Sequence, residues 1–178
     1  MATRILSVRE RALRAVCDRL MQIQEVDGYN TSVRHVRRIR DIVQMAADPP
    51  EIHLAFPAGS KTDHRSTELK ETRLLTTLFF YGARTAGVEP DTDYNLFLAD
   101  IIRVLNPDAN ASQVIDASAT PLGPSYAVLI ESEWEDQPLY FEGLPDAIAG
   151  RMDIVIQFSW SLTDPRKWDD QDQLVAEQ

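Results

Sequence analysis

Hydrophobic residues recur at three- and four-residue intervals in two segments, and this spacing predicts two amphipathic helices. The first is predicted over 7–24, where Ser7 and Glu10 fit a capping box, in which each side chain bonds the other residue's backbone N–H. The second is predicted over 93–105, after an acid-rich turn that suits the positive end of a helix. The expected buried stripes are Val8, Ala12, Leu13, Val16, Cys17, Leu20 and Ile23 in the first helix and Leu98, Ile101, Ile102 and Leu105 in the second.

Alternation of period two predicts the strands. Apolar and polar side chains alternate over 51–56 and, most regularly, over 151–160. The longest candidate, 71–81, carries apolar residues or threonine on both faces, which predicts a central place in the sheet or cover from an oligomeric neighbour. The arginine-rich segment 33–40 predicts an edge strand, because charged side chains keep sheet edges from pairing.

The order of these elements predicts an α+β fold. Several strands follow one another without an intervening helix, so the sheet should be mostly antiparallel or mixed. Both helices then share one sheet face, which gives a two-layer sandwich. We expect one domain over 1–166 and an acidic, flexible tail over 167–178. Residues 58–66 and 106–125 are predicted as loops, and 136–138 as a turn.

Composition narrows the class of protein. The chain has 178 residues, of which 44% are hydrophobic and 26% charged, as in a globular protein rather than a disordered one. Its single cysteine, Cys17, excludes a disulfide framework and a thiolate-based zinc or iron–sulfur site. No apolar run approaches the ~20 residues of a membrane-spanning helix, and the N-terminus lacks the apolar core of a secretory signal. We therefore expect a protein made in the cytoplasm that does not enter a membrane.

Charge is distributed unevenly along the chain. The net charge is −10, with +3 in residues 1–50, −3 in residues 51–100 and −10 in residues 101–178. This acidity disfavours general binding to DNA, because DNA is itself densely negative. A chain that is basic at one end and acidic at the other can attract further copies of itself.

The sequence contains no recognisable catalytic motif. The glycines form neither a phosphate-binding loop nor a dinucleotide-binding turn, and there is no nucleophile elbow or zinc-protease helix. His35, His53 and His64 fall on three segments and are predicted to be surface or edge residues, while Cys17 is predicted to act as a small hydrophobe. We therefore predict no catalytic, cofactor-binding or metal site, and no enzyme activity.

Three carboxylates lie on one face of a predicted strand, at Glu131, Glu133 and Glu135. Oxygen ligands at this spacing are compatible with a cation site. Charge at strand period more commonly marks a solvent-exposed face, and we favour that interpretation.

The order and spacing of several short features are informative together. A capped helix leads into Gly28-Tyr29-Asn30-Thr31, then a basic extended segment, a proline-flanked strand over 49–57, a long strand over 70–81 and an acid-opened helix over 91–105. The last strand continues into the stretch from Ser161 to Arg166. Over about residues 5–166, this layout resembles the tail terminator and tail-completion proteins of tailed bacteriophages. The loop at 106–125 and the tail after 166 have no counterpart in the resemblance.

The resemblance implies a virion protein, made in the host cytoplasm, that forms a ring, usually a hexamer, on the head-proximal end of the tail. Such a ring contacts the tail tube protein, stops tube polymerisation and offers a surface to the head-side connector protein. DNA passes through its lumen without sequence-specific binding, and the family has no catalytic residues. Two alternatives stay open: another head–tail joining protein of the neck or connector, and a small soluble enzyme with an unrecognised carboxylate site.

A closed ring joins two different surfaces of each subunit, and the sequence suggests such a pair. We expect an arginine cluster on one subunit to face an acidic strand of the next, with ion pairs setting register more than affinity. Phosphate binding and a merely solubilising edge are the other interpretations of the arginines; without interleaved aromatics, nucleic acid is disfavoured. Apolar contact is expected from a two-faced strand. The proposed interface residues are Arg34, Arg37, Arg38 and Arg40, Glu131, Glu133, Glu135 and Asp136, and Phe79 and Tyr81.

Overall fold

Two helices and seven strands make up the described part of the chain. The computed structural model describes residues 6–39, 49–55, 59–64, 69–105, 126–129, 136–139, 147–161 and 163–164. In chain order the elements are α1 (Val8–Leu20), a 3₁₀ turn (Glu25–Asp27), β1 (His35–Ile39), β2 (Glu51–Ala55), β3 (Gly59–His64), β4 (Leu69–Ala83), α2 (Pro90–Leu105), β5 (Tyr126–Leu129), β6 (Asp136–Pro138) and β7 (Ala147–Ser161). The predicted loop 106–125 and tail 167–178 lie outside these residues.

The sheet is organised around β4 and β7, which pair antiparallel along the whole of their length. The other edge of β4 is shared by β3 and β2, and the other edge of β7 by β5 and β6. Strand β1 pairs parallel to β2, so the strand order is β1-β2-β4-β7-β5 and the sheet is mixed. The predicted α+β fold and the central position of the long strand are confirmed.

One face of the sheet carries the main core. The even-numbered side chains of β4 and β7 face the helices, as strand alternation requires. Both helices contribute to the same cluster, which confirms the two-layer arrangement. Its fully buried members include Leu13, Val16, Leu20, Ile52, Leu74, Leu78, Phe80, Ile101, Leu105, Met152, Ile154 and Ile156.

Helix α1 begins as predicted and ends one turn earlier. The backbone N–H of Glu10 donates to Ser7 Oγ at 3.2 Å, which is one half of the predicted capping box. The Glu10 carboxylate accepts from Arg14 and Arg38 instead of from the Ser7 backbone. The helix ends at Leu20, where the backbone bonds shorten to Gln22 N→Arg19 O and Ile23 N→Leu20 O, and Gln24 is extended. Its side chain then donates to the carbonyl oxygens of Met21 and Val33 at 3.1 and 2.9 Å. Arg11 is not a member of the predicted apolar stripe, yet its side chain is fully buried.

Two short segments were predicted incorrectly. Residues within 58–66 form strand β3, which pairs with the first half of β4 through Gly59↔Leu75 to His64↔Lys70. The predicted turn at 136–138 is strand β6, which pairs with β7. In the described sheet each of these strands pairs with one neighbour only, and polar residues and proline are tolerated in such edge strands.

Gly150 allows β7 to pass close to the aromatic side chains of β4 and α2. The Phe80 ring lies 5.4 Å from Tyr94 in a tilted arrangement and 5.3 Å from Phe97 edge-on, measured between ring centroids. A Cβ atom on Gly150 would collide with Phe80 and lie 2.5 Å from Tyr94 Cε2. Glycine is therefore required here by space rather than by backbone conformation.

Gly150→Ala should lower the free energy of unfolding by about 1–3 kcal/mol, because an extra methyl group forces these rings out of position. Gly59→Ala is the matched control, since a Cβ there meets no atom within 4 Å. Urea denaturation measures both variants. Equal losses at the two positions would contradict the packing argument.

Candidate functional site

The basic segment forms the terminal strand of the described sheet. The backbone N–H of Arg34 donates to Pro50 O at 2.9 Å and begins the parallel pairing of β1 with β2. Arg34, Arg37 and Arg38 are all exposed, as the edge prediction required. Arg40 lies outside the described residues.

Strand alternation places Arg37 and Arg38 on opposite faces of the sheet, so they do not form one patch. Arg38 Nη1 lies 2.6 Å from Glu10 Oε1 on α1, and Arg14 Nε lies 3.1 Å from the same oxygen. Burial raises the pKa of Glu10, but the hydrogen bonds and charges of Arg38 and Arg14 outweigh it and leave the pKa below its ordinary value. Arg37 instead contacts Glu51 through Nε on the face away from the helices.

Glu51 belongs to a buried polar cluster that the sequence did not predict. The Glu51 side chain is 1% exposed, and His53 Nε2 lies 3.0 Å from Glu51 Oε1 without hydrogen-bond alignment. The His53 ring lies 5.0 Å from that of Tyr81, centroid to centroid. Burial, and next the Glu51 charge, raises the pKa of Tyr81. His53 is therefore an interior residue, which corrects its prediction as a surface or edge residue.

Within the described part of the chain, Glu51 Oε2 and His53 Nδ1 have no hydrogen-bond partner. Arg37 is the cation in contact with this buried carboxylate, and its own side chain is 52% exposed. A buried charge is costly unless it is paired. The contact therefore makes the docking of β1 and the neutralisation of Glu51 depend on each other.

Phe79 and Tyr81 do not offer an exposed apolar surface in this subunit. Their exposures are 5% and 4%, and with Ala149 they form a second small core on the face away from the helices. Ile39 and Leu139 pack against its margin. The predicted role of this pair in apolar contact between subunits is therefore corrected, because the pair is already used inside the fold.

The Gly28–Thr31 turn is fixed to helix α2. Gly28 has φ +80°, and its carbonyl oxygen accepts a bond of 2.7 Å from Arg103, which also lies over the Tyr29 ring at 4.5 Å. Asn30 donates to both oxygens of Asp100 at 2.8 Å, through its backbone N–H and its side-chain amide. Burial raises the pKa of Asp100, and the donors from Asn30 oppose that effect.

The sequence pattern did not predict the burial of Glu51, His53 and Asp100, and the reason can be identified. Glu51 and His53 alternate with apolar residues, which is the pattern of a strand with one wet face, but both faces of β2 are buried. Asp100 lies next to the apolar stripe of α2, and an acid inside such a stripe is the signal that could have singled it out. The residue is only 2% exposed.

The acidic half of the predicted interface cannot be placed on the structure. Glu131, Glu133 and Glu135 lie outside the described residues, and Asp136 is described only through its backbone in β6. Among the described residues, no cluster of three or more histidine, cysteine or acidic side chains could hold a metal ion. No helix in that part of the chain is long and apolar enough to cross a membrane.

Cys17 lies on α1 and packs partly buried against the main core. Burial raises the pKa of its thiol to about 11, so the thiolate is scarce at neutral pH. Its packing agrees with the prediction of a small hydrophobe.

No model of a protein family matches this chain, and no curated protein matches it in sequence. Its function must therefore be inferred from its own residues and geometry.

Asp100→Asn should lower the free energy of unfolding by about 1–3 kcal/mol, because an amide cannot accept bonds at both of the positions that Asn30 occupies. Asp93→Asn is the control. Asp93 accepts one bond of 2.7 Å, from Thr85 N, and an amide oxygen can replace that acceptor. Urea denaturation measures the free energy of unfolding of both variants. An equal decrease in the two would contradict the anchoring role of Asp100.

Arg37→Met should destabilise the fold by about 3 kcal/mol, since it leaves Glu51 buried without its cation. Adding Glu51→Gln should recover part of that loss. Arg73→Met is the control, because Arg73 is 50% exposed and its Nε lies 3.9 Å from a less buried acid, Glu71. A double-mutant cycle measured by urea denaturation gives the coupling. A further loss on adding Glu51→Gln would refute the pairing argument.

Proposed function

We propose that this protein is a structural subunit of a tailed-phage virion, a tail terminator that forms a homo-oligomeric ring on the end of the tail tube. The observation that carries the proposal is β1, a basic terminal strand in a chain of net charge −10. A ring needs a surface on each subunit that complements a different surface on the next. The two-layer α+β fold and the order of its elements agree with the resemblance in sequence.

In this proposal the arginines of β1 meet the acidic residues of a neighbouring subunit, Glu131, Glu133, Glu135 and Asp136. Ion pairs at such a surface set register and association rate more than affinity. Since Phe79 and Tyr81 are buried within the subunit, the ring by itself should be weak. The end of the tail tube then serves as the template on which subunits assemble, and the head-side connector binds the completed ring.

The net charge also suits a ring through which DNA moves. A net charge of −10 per subunit repels the duplex, and that repulsion opposes adhesion during DNA passage. No cofactor or catalytic residue is required for this role. The described geometry provides a two-layer subunit with a charged terminal strand, which suits a joint between two protein assemblies.

The proposal is tested by adding the protein to polymerising tail tube protein. We expect shorter tubes, with a ring at one end, in negative-stain electron microscopy. Moderate salt should weaken this capping. The double reversal Glu133→Arg and Glu135→Arg should impair capping, because it removes the expected partners of β1. The control reverses two exposed acids at the start of α2, Glu89→Arg just before the helix and Asp91→Arg in its first turn, and should cap normally.

Three results would overturn the proposal. Unchanged tube length with no ring excludes a terminator. Binding to the head-side connector without binding to the tube indicates a neck protein instead. A stable monomer of 20.1 kDa that binds neither the tube nor the connector favours the enzyme alternative.

A further inference from the structure

Arg37 differs from its neighbour Arg38 in which nitrogen of its guanidinium contacts the protein. Its contact with the buried Glu51 is made through Nε, the inner nitrogen of the group. The two outer Nη nitrogens carry four of the five N–H donors of an arginine side chain. About half of the side chain, 52%, is exposed. The inner side of the guanidinium thus contacts the protein, and among the described residues no ion pair or hydrogen bond engages its outer side.

The anchor itself is buried inside the fold. Glu51 and His53 are 1% and 3% exposed and touch each other at 3.0 Å, and Tyr81 packs against the His53 ring. A buried carboxylate in such surroundings has few alternative rotamers. Holding Arg37 in one orientation lowers the entropy lost when it binds a partner, and a planar fork binds carboxylates in a preferred geometry.

We propose that Arg37 is a pre-oriented anion receptor in which Glu51 and His53 are positioning residues, and that its ligand is a carboxylate side chain of a second copy of this chain. The proposal rests on the proposed function, because it assigns the central contact of the ring. Arg38 lacks this arrangement, since its outer nitrogen Nη1 is already occupied by Glu10.

Charge favours a carboxylate of another copy over the phosphates of DNA. Residues 101–178 carry a net charge of −10, so each neighbouring subunit supplies many candidate acids. The same acidity repels duplex DNA. Phosphate is the competing ligand, and the experiment must be able to detect its binding.

The decisive variant is Arg37→Lys. Lysine keeps the positive charge beside Glu51 but cannot bind one carboxylate on its inner side while presenting a fork on its outer side. The protein concentration that gives half-maximal capping of tail tubes should rise about tenfold, as expected for the loss of one charge-assisted hydrogen bond. Arg73→Lys is the matched control, because the Arg73 side chain is 50% exposed. It should leave the concentration for half-maximal capping unchanged.

The positioning role of Glu51 is tested with Glu51→Gln, against Glu71→Gln as control. Glutamine preserves shape but releases Arg37, so capping should weaken by about the same factor as in Arg37→Lys. Combining Arg37→Lys with Glu51→Gln should weaken capping little further, because each change alone already disrupts the same Arg37–Glu51 contact. The double variant also removes the buried charge, so it keeps the test valid if either single variant fails to fold. Circular dichroism and the melting temperature check the fold.

Normal capping by folded Arg37→Lys, with wild type active, would overturn this inference and leave the proposed function intact. Absence of capping by wild type would overturn the proposed function and this inference together. Fluorescence anisotropy with a short DNA duplex tests whether phosphate is the ligand instead. Wild-type binding at moderate salt that Arg37→Lys abolishes would identify phosphate as the ligand and overturn the assignment to a second copy.

Discussion

The continuous antiparallel pairing of β4 with β7 is the constraint on which the rest of the fold depends. Fifteen residue pairs, from Leu69↔Ser161 to Ala83↔Ala147, fix which side chains of both strands face the helices. A slip of one residue would move every core side chain of a strand to the other face. The shorter strands then divide the two outer edges of this pair, and the close approach at Gly150 lets α2 pack against it.

Burial of both faces at one end of the sheet explains the unusual chemistry there. The helices cover one face of β2, and on the other face Phe79 and Tyr81 of the second core lie directly beside His53 and Glu51. Glu51 is thereby enclosed, and an enclosed carboxylate needs a cation. The fold provides that cation from the exposed strand β1, so an interior requirement determines the orientation of the surface residue Arg37.

A second polar contact fixes the helix layer. Asp100 of α2 accepts two hydrogen bonds from Asn30, and Arg103 reaches Gly28 and Tyr29 in the same turn. The turn connects α1 to β1, so this contact sets where the basic strand starts. The two buried acids, Glu51 and Asp100, therefore hold β1 from two directions, Glu51 through Arg37 and Asp100 through the turn that precedes the strand.

Local periodicity was enough to predict both helices, the Ser7 cap, the central strand β4 and the basic edge, because each pattern depends on near neighbours in the chain. Tertiary structure alone decided the burial of His53, Phe79 and Tyr81 and the separation of Arg37 from Arg38. It also gave strand character to the polar segments β3 and β6. Those outcomes depend on which distant strand covers a face or an edge, and pairs such as Glu51↔Tyr81 leave no mark in the local pattern.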